Sequence, residues 1–355
     1  MNNIISYLKE YGIYSLEEEP FNEVDNACIC QMFYSDFDEY FKVRKSYTLK
    51  ELAALIFFDH DENELKKSKS LIGQAPFVLK EMAKSKRFKD AVLTNYKLID
   101  DKKKDELFCA GELRLDNNVS YIVYRGTKDT LTSWKESFSL IYKKTASHID
   151  ADKYLKKVFK NDKKYYVGGH SKGGTLAIYA AMLNPQFHSN IISVYSNDGP
   201  GLNPRIMPDK YHENFKTLKG KYIKIIPEFD IFGTIFSSQR KKRIIKADAI
   251  AINQHDIMLW MVEKNKFVDG KPLKSVEVLR KAFEDYANTV SDEEFKLFLD
   301  NYANSLSKKG IKEIKGGFTG MLPFIAATLS SVPTMSENSK KVTTNLVKQI
   351  LANIK

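Results

Sequence analysis

The stretch YYVGGHSKGGTLAIYAA, Tyr165–Ala181, contains the turn that decides the fold. It opens with three β-prone residues, and the residues after the turn are apolar and rich in alanine, which is typical of a buried helix. Four glycines lie between these two halves and bracket Ser171. Glycine permits backbone angles and close approaches that other residues resist. The stretch therefore predicts a strand that turns sharply into a helix, with a serine on the turn.

The residues of the turn, Gly169–Gly173, form the pattern G-x-S-x-G. The phosphate-binding patterns GxxxxGK[ST] and GxGxxG are both missing from it, so a nucleotide loop is not predicted. In G-x-S-x-G the serine hydroxyl projects above the sheet, beside the N–H groups of the helix N-terminus. The competing interpretation is a structural glycine turn whose serine only caps the helix. We interpret Ser171 as a nucleophile.

A serine nucleophile needs a histidine base, and in this fold type the order along the chain is serine, acid, histidine. Three histidines follow Ser171. His188 lies just past the next predicted helix, and His212 lies among charged residues. His255, in INQHDIMLW, falls in a turn after a strand-like run, and we predict that it is the base.

Two aspartates are candidates for the acid that orients the histidine. Asp230, in IIPEFDIFG, directly follows a predicted strand and is preferred. Asp198, in VYSNDGPGL, also ends a strand and remains the alternative, although Asp-Gly-Pro is equally suited to forming a turn. Asp256 is too close to His255 in the sequence to fold back onto its ring.

An oxyanion hole needs two hydrogen-bond donors. One is the N–H of Lys172, the residue after the nucleophile. The other is expected from Thr127, which follows the strand in YIVYRGTKD and offers a backbone N–H and a hydroxyl. A mechanism of this kind requires no metal and no organic cofactor.

Composition sets the wider limits. The chain of 355 residues has 43% hydrophobic and 12% aromatic residues, which excludes general disorder. The net charge of +11 favours anionic surfaces, such as phospholipid headgroups or nucleic acid. Because no nucleic-acid recognition motif is present, a nucleic-acid partner is not expected. The cluster at residues 240–243, RKKR, suits either an anionic interface or a solvated loop.

The cysteines and termini bear on location. Three cysteines without metal-type spacing suit a reducing compartment. The N-terminal residues have early charges and no apolar core of signal-peptide length, so we expect a cytoplasmic protein, with peripheral contact with an anionic membrane surface. The uncharged stretch Gly316–Ser336 contains three glycines and two prolines, which predicts a packed C-terminal element or flap rather than a membrane span.

Strand and helix patterns divide the chain into three regions. Residues 1–105 are predicted to form an N-terminal helical region that packs on the core. Residues 106–265 contain a hairpin signal at residues 116–118 and then alternating strands and helices, which predicts a parallel α/β sheet. Residues 266–355 return to helix.

The motifs resemble known families. YIVYRGTKDTLTSWKESF together with GGHSKGGTLAIYAA resembles the class 3 lipases, in which an RG[ST] motif supplies an oxyanion-hole residue and GHSxGG carries the serine. FNEVDNACICQMFYSDF, KSKRFKDAVLTNY, SNDGPGL and QHDIMLW resemble a bacterial family of uncharacterised α/β-hydrolases, formerly a domain of unknown function. That resemblance covers about residues 21–262.

The resemblance implies an α/β-hydrolase fold and a set of roles. Ser171 would be the nucleophile, His255 the base, and Thr127 and Lys172 the oxyanion donors. Asp230 lies in a segment similar to the one that carries the acid of the class 3 lipases. Where those lipases usually have a leucine, this chain has Lys172, whose side chain is expected either to bind an anionic substrate or to point to solvent.

The implied function is a serine hydrolase that cleaves carboxylic esters, such as lipid or phospholipid acyl esters, through an acyl-enzyme. The alternative is a non-catalytic hydrolase-like fold that binds a lipid or a partner protein. The sequence does not identify the ester, the acyl chain length, a lid or the oligomeric state.

Overall fold

The structure is a computed structural model. It describes residues 2–67, 71–128, 131–206, 211–218, 220–237, 242–308, 325 and 327–353. Its strands, in chain order, are β1 (Ser46–Thr48), β2 (Val92–Asp101), β3 (Glu106–Arg114), β4 (Val119–Tyr124), β5 (Lys164–His170), β6 (Ile191–Asn197), β7 (Tyr222–Pro227), β8 (Lys242–Ile245), β9 (Val262–Glu263) and β10 (Lys266–Phe267).

Strands β1 to β8 form one sheet in which spatial order follows chain order. The pairings from β1 to β4 are antiparallel, and those from β4 to β8 are parallel. The predicted hairpin at residues 116–118 joins β3 to β4. Parallel neighbours need crossover connections, and helices supply them between β4 and β7. The prediction of an α/β-hydrolase fold is confirmed by this sheet, its flanking helices and the turn after β5.

The described helices lie before, between and after the strands. They are α1 (Ile4–Tyr11), α2 (Glu23–Met32), α3 (Asp38–Val43), α4 (Leu49–Asp59), α5 (Glu62–Lys67), α6 (Leu71–Lys84), α7 (Leu131–Tyr142), α8 (Ala146–Val158), α9 (Lys172–Leu183), α10 (Tyr211–Leu218), α11 (Lys274–Thr289), α12 (Asp292–Lys308) and α13 (Glu337–Asn353).

The sheet is covered on both faces, because successive side chains of a strand point to opposite sides. In β4, Tyr121 and Val123 belong to a core shared with α1, α2, α4 and α6. Ile122 and Tyr124 belong to the opposite core, which is shared with α8 and α9. Helices α11 to α13 form a third cluster with Tyr142 of α7. A strand buried on both faces reads as a continuous apolar run, as β4 does.

The sheet begins earlier in the chain than the sequence patterns indicate, since β1 and β2 both precede residue 105. The division at residues 105 and 265 stays a prediction. Much of the uncharged stretch predicted to be a packed element or flap, residues 316–324 and 326, lies outside the described residues. Among the helices that the structure describes, none is long and apolar enough to cross a membrane.

Candidate active site

The predicted turn is present between β5 and α9. Strand β5 ends at His170, and α9 begins at Lys172, so Ser171 alone makes the corner. Its backbone has φ 55° and ψ −128°, which costs a non-glycine residue about 1–3 kcal/mol. Gly173 lets α9 pass close to the end of β4, because a Cβ there would lie 2.0 Å from the carbonyl oxygen of Tyr124. The surrounding packing thus holds the backbone of Ser171 in a strained conformation.

The other candidate residues follow neighbouring parallel strands. Asp198 comes directly after β6, Asp230 lies in the loop after β7, and His255 lies in the longer connection after β8. Because the carboxyl ends of parallel strands meet at one edge of a sheet, these loops converge on the serine corner. Gly199 shows how closely they pack, since a Cβ there would lie 2.4 Å from the carbonyl oxygen of Ser171.

One ring nitrogen of His255 faces two carboxylates. Its Nδ1 lies 2.7 Å from Oδ2 of Asp198 and 3.4 Å from Oδ2 of Asp230. A neutral imidazole carries only one N–H, so the shorter contact identifies Asp198 as its hydrogen-bond partner. Both aspartates are fully buried, whereas the histidine side chain is 22% exposed. The structure thus brings both candidate acids to the histidine, with the alternative acid the closer of the two.

Asp230 is held by the backbone of its own loop. Oδ1 of Asp230 accepts hydrogen bonds from the backbone N–H groups of Phe232, at 2.6 Å, and Gly233, at 3.3 Å. This leaves Oδ2 to face the histidine and the first aspartate. A Cβ at Gly233 would lie 2.0 Å from Oδ1 of Asp198, so only glycine fits beside that carboxyl group.

The buried charges shift the pKa values of this cluster. Burial, and then the charge of Asp230, raise the pKa of Asp198 to about 8. Burial disfavours the imidazolium, but the charge of Asp230 and the hydrogen bond to Asp198 outweigh it and raise the pKa of His255 to about 10. Like charges this close resist ionising together, and each stabilises a proton on the ring between them. The two carboxylates therefore favour the protonated form of the ring.

A buried lysine lies near the two aspartates. Lys224 of β7 donates from Nζ to the carbonyl oxygen of Gly199, the residue after Asp198. Burial lowers the pKa of Lys224 to about 7, although the charges of Asp198 and Asp230 oppose this shift. In its protonated form, Lys224 offsets part of the repulsion between the two carboxylates.

His170, the residue before the nucleophile, supports the histidine loop. Its Nε2 lies 2.9 Å from the carbonyl oxygen of His255, and its Nδ1 lies 2.9 Å from Oη of Tyr34. Burial lowers the pKa of His170 well below its usual range, so the ring is neutral. A carbonyl can only accept, which fixes the proton on Nε2 and makes the tyrosine hydroxyl the donor to Nδ1. A chain of two hydrogen bonds thus runs from Tyr34 to the backbone of His255.

The expected oxyanion residue lies against the same corner. Thr127 follows Gly126, where a Cβ would lie 2.6 Å from the carbonyl oxygen of His170. The hydroxyl of Thr127 forms a hydrogen bond with Ser137 of α7. The second expected donor, the N–H of Lys172, is at the first position of α9, where a helix offers its amide no internal acceptor.

The side chain of Lys172 contradicts both expectations for it. Only 1% of it is exposed, and Nζ donates to Oε2 of Glu136 at 2.8 Å and to the carbonyl oxygen of Leu107 at 2.7 Å. It therefore neither points to solvent nor offers its charge to a substrate. The ion-pair partner lies on α7, 36 residues earlier, and no local pattern indicates it.

The remaining sequence candidates have other roles. His188 is tied through its ring nitrogens to Ala181 and Thr217, away from the serine corner. His212 is exposed on α10. Asp256 accepts a hydrogen bond from the N–H of Met258 and so caps a short turn.

The basic cluster is described only in part, since residues 240 and 241 lie outside the described ranges. Arg243 is paired within the chain: it donates to Glu23 at 2.6 Å and also contacts Asp269. Arg243 is therefore engaged in holding the N-terminal region to the core and is not free for an anionic surface.

A metal ion is the other ligand that this cluster suits. The ligand atoms of Asp198, Asp230 and His255 lie within 4.8 Å of one another, and two carboxylates with an imidazole are a set that zinc accepts. The same three groups also form an ordinary acid–histidine pair with a second carboxylate, which needs only protons. Chelation separates these two interpretations.

Sequence patterns missed three residues that support the site: Tyr34, Glu136 and Lys224. Lys224 carried a usable signal, because a lysine within the apolar strand KYIKIIP must find buried partners. Tyr34 and Glu136 carried none, since each meets its partner across a long sequence separation.

Two solved lipase structures are similar to part of this chain. Lipase II from Rhizopus niveus is 19% identical, with a TM-score of 0.31; the alignment covers 42% of this chain and 66% of the lipase, just under two thirds of its length. M37 lipase is 17% identical, with a TM-score of 0.29, over 53% of this chain and 70% of its own. No protein with a curated description matches.

A family model gives the clearer assignment. The model of the Mbeg1-like family matches residues 82–303, which is more than half of the chain and includes the serine corner, both aspartates and His255. The chain belongs to the Mbeg1-like family.

Proposed function

We propose that this member of the Mbeg1-like family is a serine hydrolase that cleaves carboxylic esters. The observation that carries the proposal is the pairing of His255 with buried carboxylates at the sheet edge where Ser171 occupies a strained corner. A strained non-glycine residue flanked by close-packed glycines serves no stability purpose, and such strain is concentrated at functional sites.

In the proposed reaction, the hydroxyl of Ser171 attacks the ester carbonyl while Nε2 of His255 takes its proton. Nδ1 stays bonded to Asp198, which holds the ring and stabilises the imidazolium that forms. The N–H groups of Thr127 and Lys172 bind the tetrahedral oxyanion. The imidazolium then protonates the leaving alcohol, and a water molecule activated by the same ring releases the acid from Ser171. Atoms and protons balance without a cofactor.

We assign Asp198 as the acid, because it lies 0.7 Å closer to Nδ1 than Asp230, by the difference between 3.4 and 2.7 Å. Asp230 then tunes the ring through its charge. The charge of Asp230 makes the His255 ring a stronger base but also favours its protonated form. The free enzyme therefore needs alkaline pH for the ring to be neutral and reactive.

The substrate class follows from chemistry and charge. Lipid and phospholipid acyl esters are proposed, with peripheral contact at an anionic membrane surface, on the basis of the net charge of +11. The three cysteines are free and buried thiols, which is compatible with the proposed cytoplasmic location.

Hydrolysis of p-nitrophenyl esters with acyl chains of increasing length tests the proposal. The intact protein is expected to release nitrophenol, and Ser171→Ala is expected to abolish this release. Ser189→Ala, which removes an exposed serine hydroxyl elsewhere, serves as the control and should keep full activity. Turnover that survives Ser171→Ala would refute the proposal.

A second candidate is a non-catalytic hydrolase-like fold that binds a lipid or a partner protein. The raised pKa of His255 favours it, because a protonated imidazole cannot accept the serine proton. Ester hydrolysis that rises with pH toward the pKa of the ring supports the enzyme. Inactivity at every pH up to 10, together with vesicle binding, supports the binding protein.

A further inference from the structure

Two elements supply the proposed oxyanion donors, and helix α7 is bonded to both of them. Thr127 follows β4, and Lys172 opens α9. Glu136 and Ser137 are successive residues of α7; the first pairs with the side chain of Lys172, and the second bonds to the hydroxyl of Thr127.

The contacts of Glu136 are complete and buried. Its side chain is 1% exposed. Oε2 accepts hydrogen bonds from Nζ of Lys172 at 2.8 Å and from the N–H of Leu107 at 3.0 Å. Oε1 accepts one from the hydroxyl of Ser147, at the start of α8. One carboxylate therefore fixes β3, α8 and the first residue of α9 relative to one another.

Stability alone does not explain this ion pair. Removing two charges from water costs several kcal/mol per ion, and apolar side chains of similar volume commonly replace a buried pair without loss. A lysine in the first turn of a helix also opposes the helix dipole. One member of the pair, Lys172, directly follows Ser171, and its backbone N–H is a proposed oxyanion donor. The desolvation cost of the ion pair is therefore borne at a residue whose backbone must be held accurately.

We propose that Glu136 is a positioning residue, which holds the backbone of Lys172 so that its N–H points at the oxyanion. This inference rests on the proposed function. It predicts that the ion pair acts on kcat, because an oxyanion donor works in the transition state and contributes little to substrate binding.

Three variants separate positioning from support of the fold. Glu136→Gln and Lys172→Met each leave one buried charge unpaired, and both should lower Tm and kcat. The double variant Glu136→Gln/Lys172→Met removes both charges, so its Tm should return close to that of the parent protein. Its kcat should stay about 10- to 100-fold low with KM unchanged, since misplaced groups cost rate even when the fold is intact.

The matched control is the exposed pair Glu39 and Lys42, whose side chains are 79% and 67% exposed. The double variant Glu39→Gln/Lys42→Met should change neither Tm nor kcat. Recovery of both Tm and kcat in Glu136→Gln/Lys172→Met would overturn the positioning role and leave a structural ion pair. A parent protein without turnover that depends on Ser171 would instead overturn the proposed function itself, and the inference with it.

Discussion

At the scale of single residues, Nδ1 of His255 faces two possible acceptors, Asp198 at 2.7 Å and Asp230 at 3.4 Å. The ring can donate one hydrogen there, so the two carboxylates cannot have the same role. Asp198 receives the hydrogen bond, and Asp230 acts through its negative charge. Replacing each by asparagine, which preserves shape and removes charge, distinguishes the two roles.

We expect Asp198→Asn to lower kcat/KM by about 10³- to 10⁴-fold, the loss seen when the acid of a serine triad is neutralised. Asp230→Asn should cost far less. It should also move the rising limb of the pH profile to lower pH: the negative charge of Asp230 raises the pKa of His255, and activity requires the unprotonated ring, so removing that charge lowers the pKa. The measurement is kcat/KM between pH 6 and 11.

An unshifted limb in Asp230→Asn would contradict this assignment, as would a larger loss of activity in Asp230→Asn than in Asp198→Asn. The second outcome would restore Asp230 as the acid, which is the preference that sequence patterns indicate.

The three ligand-type groups at the site also lead to a prediction about metals. In the proposed mechanism, Asp198, Asp230 and His255 only bind and transfer protons. Dialysis against a chelator should therefore leave ester hydrolysis within about twofold of its starting value. Loss of activity on chelation, with recovery on adding zinc, would show that Asp198, Asp230 and His255 hold a metal ion.

Sequence patterns are informative about some of these residues and silent on others. The G-x-S-x-G turn identifies Ser171, and the surroundings of the three histidines that follow it favour His255 as the candidate base. The choice of acid depends on distances between loops that differ by less than 1 Å, and no sequence pattern resolves such a difference. The direction of Lys172 depends on Glu136, which reaches it through the packing of α7.

At the scale of elements, the corner between β5 and α9 depends on glycine. Alanine is normally more stable than glycine inside a helix, by about 1 kcal/mol in the interior, and Gly173 is the second residue of α9. At Gly173 the added Cβ would lie 2.0 Å from the carbonyl oxygen of Tyr124, a backbone atom that cannot turn aside. Because of this clash, alanine at residue 173 should destabilise the protein rather than stabilise it, since α9 would have to move away from β4.

Gly173→Ala is expected to destabilise the protein by at least about 1–3 kcal/mol, the usual cost of overpacking a core. Gly220→Ala is the matched control, because a Cβ there meets nothing within 4 Å. Urea unfolding followed by circular dichroism measures both variants. Equal stability of Gly173→Ala and the parent protein would contradict the close crossing of strand and helix.

Regular elements with strong local signals are predicted well. Strand β6 covers residues 191–197, whose sequence IISVYSN is rich in β-prone residues. Ser291 and Glu294 match the capping-box pattern, and in the structure each backbone N–H bonds to the side chain of the other residue. Strand β2 lies in the region that the sequence predicts to be helical, because VLTNYKLIDD mixes charged residues into its pattern and its pairing with β3 is not visible locally.

At the scale of the whole molecule, buried polar contacts hold the N-terminal region together and join it to the sheet. Arg87 and Asp25 form an ion pair in which both side chains are fully buried. Arg87 also donates to the carbonyl oxygens of Glu19, at 2.6 Å, and Pro20, at 3.1 Å. Asn26, the residue after Asp25, bonds to Asn197 at the end of β6. The first helices thus reach the strand that leads into Asp198.

We therefore expect Arg87→Met to destabilise the protein by about 3–5 kcal/mol, because it leaves the carboxylate of Asp25 buried without its partner. Lys42→Met removes an exposed lysine from a surface pair and should change stability by less than about 1 kcal/mol. Thermal unfolding should remain a single transition in both variants. A separate early transition in Arg87→Met would indicate that the N-terminal region unfolds independently of the sheet.

The partners of such contacts lie 62 positions apart for Asp25 and Arg87, and 171 apart for Asn26 and Asn197. Local patterns carry no information about pairs this distant. They predict the class of fold and the serine corner, but not how the N-terminal helices join the sheet.

The central claim is that Ser171 is an activated nucleophile, and covalent labelling tests it most directly. The protein is incubated with a fluorophosphonate at pH 9, with and without anionic lipid vesicles, and its intact mass is measured beside that of Ser171→Ala. We predict one phosphonyl adduct on the parent protein and none on the variant. A folded parent protein that gains no mass under either condition, or a variant that gains as much, would contradict the claim.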